Sequence, residues 1–106
     1  MVTEEGLRDL LGHGHRIVVV CLEPPFWKKS VWYGQWGIYS VASDGTSERI
    51  LVSARSGPEG DKPRFFKTLN GLATFLHALG FRAIMVPMEP GARQSHNLKD
   101  HGPTQP

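Results

Sequence analysis

Between positions 26 and 36 the chain reads Phe26-Trp27-Lys28-Lys29-Ser30-Val31-Trp32-Tyr33-Gly34-Gln35-Trp36. All three tryptophans of the protein fall here, with two lysines between the first and the second. Aromatic rings stack on nucleobases and ammonium groups contact phosphates, so rings interleaved with bases point to nucleic acid. Residues 28–67 carry seven Lys or Arg against four Asp or Glu, a local excess of three. The same residue types have two other uses. A small domain needs large rings to bury enough surface, and exposed Trp, Tyr and Arg also mark protein-binding faces.

No other cluster is as dense. His13-Gly14-His15 is half a metal site, but metal binding needs three or four ligands and no Cys or paired acid stands at a useful spacing. Cys21, the single cysteine, lies inside the most apolar stretch, where a thiol behaves as a small hydrophobe with a raised pKa. One cysteine allows neither an internal disulfide nor a cysteine-based zinc site. Glu4-Glu5 sits at a helix start, where carboxylates complement the helix dipole. No glycine group forms a phosphate loop, and no nucleophile stands beside a base. The sequence therefore reads as non-enzymatic, with no cofactor and no metal.

These residues must be positioned by a chain of 106 residues, 40% hydrophobic and 21% charged, with a net charge of +2. That is one soluble domain with a modest core. No apolar run approaches the about 20 residues of a membrane span, so no membrane is expected. The start, MVTEEGLRDL, has acids where a signal peptide needs a basic end, so the expected location is cytoplasmic.

Thr3 is an N-cap for a first helix whose Leu7, Leu10 and Leu11 form an apolar stripe and which Gly12 and Gly14 end, with Gly12 as the left-handed cap. Residues 15–23 read as a strand buried on both faces, stopped by Pro24-Pro25, with 24–30 as a loop. Residues 31–42 are a second strand. Ser43-Asp44-Gly45-Thr46 is a hairpin turn, and 48–55 a third strand. Strict alternation puts Ile50, Val52 and Ala54 on one side of that strand and Arg49, Leu51, Ser53 and Arg55 on the other. A Gly/Pro loop follows over 56–63. Thr68 caps a main helix over 69–79 with core face Leu69, Leu72, Ala73, Leu76 and Leu79, and Gly80 stops it. Phe81 to Val86 reads as a last strand. Residues 88–106 lose all periodicity and read as a disordered tail behind a single domain over 1–87.

The order α-β-β-β-α-β predicts an α+β fold: a two-layer sandwich with an antiparallel sheet of three to four strands and one main helix on one face. The other sheet face is then free to meet a partner, in some DNA-binding domains the major groove. Alternation assigns Tyr33, Gln35 and Tyr39 to that face, with Arg49, Ser53 and Arg55 beside them. Lys28 and Lys29 stand in the adjoining loop. The candidate nucleic-acid-binding residues are therefore Lys28, Lys29, Tyr33, Gln35, Tyr39, Arg49 and Arg55.

The segment Arg64-Phe65-Phe66-Lys67-Thr68-Leu69-Asn70-Gly71-Leu72-Ala73-Thr74-Phe75-Leu76-His77-Ala78-Leu79-Gly80 resembles a pattern R-x-F-K-T-L-D-A-A-x-x-F-L-x-x-L-G. After a meander ending in Arg49-Ile50-Leu51-Val52, it is similar to plasmid partition-associated proteins of the ParC type, over about residues 48–86. Asn70 stands where that pattern has Asp. The order of sheet and helix also resembles the arm-type DNA-binding domains of tyrosine recombinases, without a recombinase catalytic domain. The resemblance implies a plasmid-maintenance accessory protein that binds DNA or a DNA-bound partner, with a partition protein or another plasmid-encoded protein as that partner. The alternative is a protein–protein interaction module, a homodimer through a sheet edge, with no DNA contact.

Overall fold

The computed structural model describes residues 1–53 and 62–98. Helix α1 spans Glu4–Gly12; the Thr3 hydroxyl accepts from the Gly6 amide at 3.2 Å, so the chain enters the helix capped. Leu7 and Leu11 form its buried stripe. The helix gives way at His13 between the two expected glycines, and the left-handed residue is Gly14 (φ 91°) rather than Gly12.

Strands β1 (Arg16–Lys28) and β2 (Val31–Val41) form a long antiparallel hairpin. The turn expected at Ser43–Thr46 then returns the chain to β3 (Glu48–Ile50), which pairs with β2. Asp44 Oδ1 holds that turn, accepting from the backbone amide and the hydroxyl of Thr46. Strands β4 (Val52–Ser53) and β5 (Lys62–Pro63) form a small separate pair. β6 (Phe65–Thr68) returns to β2 and runs into helix α2 (Leu69–Leu79). The Thr68 hydroxyl caps α2 at Gly71, and left-handed Gly80 ends it, both as the sequence predicts. Strand β7 (Arg93–His96) closes the order β3-β2-β1-β7.

The result is an α+β fold with an antiparallel main sheet and the main helix on one face. Leu72, Phe75, Leu76 and Leu79 of α2 share one core with Leu7 and Leu11 of α1. Ile17, Val19 and Cys21 of β1 and Trp36 and Ile38 of β2 line its other side. Val18, Val20 and Val41 are buried on the opposite face, in a second cluster with Tyr39. The β1 run is thus buried on both faces, because β1 lies inside the sheet.

Four expectations are corrected. Pro24-Pro25 does not stop β1. The ladder shifts register between Cys21 and Glu23 and again between Glu23 and Phe26, and β7 pairs with β1 only over Ile17–Val20. At a bulge beside an edge without a strand partner, the missing proline N–H costs no ladder bond.

The third strand faces the other way. Arg49 pairs with Ser40 and Ile50 with Tyr39, and paired residues share a face. Arg49 is therefore on the helix-bearing side at its margin, and Leu51 enters the main core.

Phe81–Val86 is not a strand. Its region bonds to side chains instead: the Trp36 indole donates to the Pro87 carbonyl at 2.9 Å, and the Met85 amide donates to His96 Nε2 at 2.8 Å. The last strand lies later, in what the sequence assigns to a tail, and it pairs with β1 as the new edge. Ala54, Arg55, the loop over 56–61 and the tail beyond Leu98 lie outside the described residues.

Candidate nucleic-acid interface

Beyond Cys21, β1 has β2 as its one strand neighbour among the described residues, and β6 accompanies β2 as far as Tyr33, so the hairpin continues as an arm whose tip beyond Tyr33 is two-stranded. Its turn is Lys29-Ser30, with φ of 51° and 68°. Positive φ at both central residues is the I′ hairpin turn, whose twist matches the strands. Neither residue is Asn or Gly, which is why the turn is hard to read from the sequence.

Register places the aromatics in two cross-strand pairs. Phe26 stacks on Tyr33 with centroids 5.5 Å apart and planes 20° apart. Trp27 meets Trp32 edge to face at 5.8 Å and 64°. Phe26 and Trp27 remain 53% and 59% exposed, so large ring surfaces face solvent. The two pairs lie on opposite faces of the arm, since successive side chains alternate. A shallow cleft of about 350 Å³ is lined by Phe26, Lys28, Lys29 and Tyr33. A second, of about 450 Å³, lies between Trp27 and Trp32 and the first turns of α2.

The predicted site residues separate into two groups. Lys28, Lys29 and Tyr33 come together at the arm, and Gln35 follows on the Tyr33 side, paired with Glu23. Tyr39 has the same parity but stands six residues along β2, about 20 Å away. The guanidinium of Arg93 lies 5.7 Å from its ring centroid. Arg49 is exposed but belongs to the other face. Arg55 lies outside the described residues.

Phe26, Trp27 and Trp32 are the members that alternation alone leaves out. A signal for them exists: Phe26-Trp27 and Trp32-Tyr33 are mirror images about Lys29-Ser30, as a two-residue hairpin requires.

No protein-family model, curated protein or solved structure matches the chain. The geometry therefore carries the functional argument.

Trp36 is wholly buried and its N–H is satisfied by the Pro87 carbonyl, so this third tryptophan is structural. Gly34 serves it: a Cβ there would lie 2.9 Å from the Trp36 ring, which needs the bare backbone. Cys21 is buried, burial pushes its thiol pKa up, and the S–H donates to the Glu23 carbonyl at 3.3 Å. Such a thiol is a core residue. His13 Nδ1 contacts the Asp9 carbonyl oxygen at 2.8 Å, and among the described residues no group of three or more His, Cys, Asp or Glu could hold a metal ion.

Glu23, paired with Gln35, is the carboxylate at the base of the arm, and the chain from there to the tip and back carries no other. No carboxylate occurs between Glu23 and Asp44, or from Lys62 to Met88. The first segment builds the arm, and the second carries β6 and α2 beside it.

Proposed function

We propose that this protein is a non-enzymatic accessory that contacts DNA through the β1–β2 arm. The observation that carries the reading is the arm itself: half-exposed Phe26 and Trp27 with Lys28 and Lys29 at the tip. Rings offered to solvent beside ammonium groups, with no carboxylate in the same segment, suit a polyanion with π-faces. The resemblance of residues 64–80 to ParC-type partition-associated proteins makes plasmid maintenance the proposed setting, with a partition protein or another plasmid-encoded protein as a further partner.

The test is a gel shift with plasmid-derived DNA at low and then physiological salt. Binding should weaken with salt, and joint Lys28→Ala and Lys29→Ala replacement should lower the salt slope by about 0.7–0.9 per lost phosphate contact. Absence of any shift at low salt overturns the reading.

A second reading rests on β7. It ends the strand order, so its outer edge is where a second copy could add a strand. A dimer by light scattering that persists at high salt without DNA would favour this homodimeric interaction module.

A further inference from the structure

The cleft on the tryptophan side of the arm has more structure than a stacking surface. One wall is the Trp27–Trp32 pair, whose rings meet at 64° and so form an angled apolar corner. The floor is Leu69 and Ala73, one helical turn apart on α2. Polar side chains come from Ser30 at the arm turn and Asn70 in the first turn of α2. At about 450 Å³ the volume falls within the about 300–1,000 Å³ typical of small-ligand sites.

From this geometry we infer that the cleft receives a single unpaired nucleobase, so that the arm binds single-stranded rather than duplex DNA. The inference rests on the DNA-binding reading above and names the form of DNA. An angled pair of indoles offers one ring face to stack on and one ring edge to close the side. Bases in a duplex have both faces covered by their neighbours, whereas an unpaired base presents a free face. The carboxamide of Asn70 both donates and accepts, which matches the mixed edge of a base. The hydroxyl of Ser30 does the same.

Charge selects this occupant over an apolar peptide. The cleft is built from stretches without a carboxylate, 24–43 and 62–88, and Lys28 and Lys29 line the cleft on the other face of the arm, across the tip from Ser30. A strand with one base in the cleft and its backbone crossing the tip therefore brings its next phosphates to the two ammonium groups. A peptide would gain nothing from them unless it were acidic.

The test uses fluorescence anisotropy with the whole chain and three labelled probes of equal length. They are an oligothymidylate of about 15 nucleotides, near the upper site size of small single-strand binders, its abasic counterpart, and a duplex. The oligothymidylate should bind about tenfold tighter than either other probe, the loss expected for removing one stacked base. Trp27→Ala should remove most of that advantage, and Trp27→Phe should restore part of it. Trp27 is largely exposed, so neither change should unfold the protein. Asn70→Ala, also at an exposed position, should narrow the preference without altering the abasic affinity.

Equal binding of all three probes overturns the base cleft and leaves the DNA reading standing. Tighter binding of the duplex does the same. An unchanged preference in Trp27→Ala overturns the cleft as the site. Binding of none of the probes at low salt overturns both readings.

Discussion

Arg93 on β7 reaches Glu48 on β3, nitrogen to oxygen 3.0 Å, although β1 and β2 lie between their strands. On the way its guanidinium lies over the ring of Tyr39. The pair ties the two ends of the strand order across the face that bears no helix, above the small cluster of Val18, Val20 and Val41. Both partners are nearly half exposed, so the ion pair itself is worth about 0–1 kcal/mol. Its consequence is geometric: the face that alternation leaves open is crossed by the Arg93 side chain at the Tyr39 end, whereas at the Tyr33 end the half-exposed Phe26 ring stacks on that tyrosine.

Deleting residues 88–106 is expected to lower the melting temperature by clearly more than Arg93→Ala alone. The deletion removes β7 from its ladder with Ile17–Val20 and takes His96 out of a buried site. Each kcal/mol lost should appear as about 4–8 °C in a domain of this size. A scanning calorimetry trace unchanged by the deletion would mean that β7 contributes nothing to the core.

Leu76→Ala should cost about 2–5 kcal/mol, the usual loss for emptying a well-packed leucine site. Leu76 is fully buried at the centre of the α2 face. Urea unfolding measures it directly. A loss under about 1 kcal/mol would place Leu76 away from the core.

Trp36→Phe is expected to destabilise by about 1–3 kcal/mol, because it leaves the buried Pro87 carbonyl without its indole donor. The same substitution removes the buried emitter, so the remaining fluorescence should report Trp27 and Trp32 in partly exposed surroundings. Unchanged stability would show that the carbonyl finds another donor.

Glu4 supplies the pH dependence. Hydrogen bonds from Arg64 and then Arg8 hold its carboxyl below the ordinary value of 4.5. A depressed folded-state value means that the stabilisation is present at neutral pH and is lost as pH falls through that value. The group is 40% exposed, so the effect is small and screened by salt. Glu4→Gln should therefore lower the urea midpoint slightly at neutral pH and leave it unchanged in strong acid. A difference that survives in strong acid would assign the effect to packing.

The sequence by itself determined what short-range chemistry controls. Thr3 and Thr68 cap their helices because a hydroxyl one step before a helix meets an unbonded amide. Asp44-Gly45 turns the chain, Gly80 ends α2, and the apolar run of β1 is buried on both faces. The caps and turns depend on neighbours within a few positions, and the β1 run announces its two-sided burial by its own unbroken apolar composition. Tertiary structure decided what depends on register and on distant partners. Ile50, Leu51 and Val52 are all apolar, so alternation alone fits either facing, and pairing with Tyr39 and Ser40 settled it. That choice separated Arg49 from the tyrosines. Strand β7 has the sequence Arg-Gln-Ser-His, with no apolar period, and is a strand because the edge of β1 offers it backbone bonds. The arm extends past two prolines because a bulged edge needs no amide there. Phe26 then met Tyr33, and Trp27 met Trp32, through cross-strand pairing that no local rule contains.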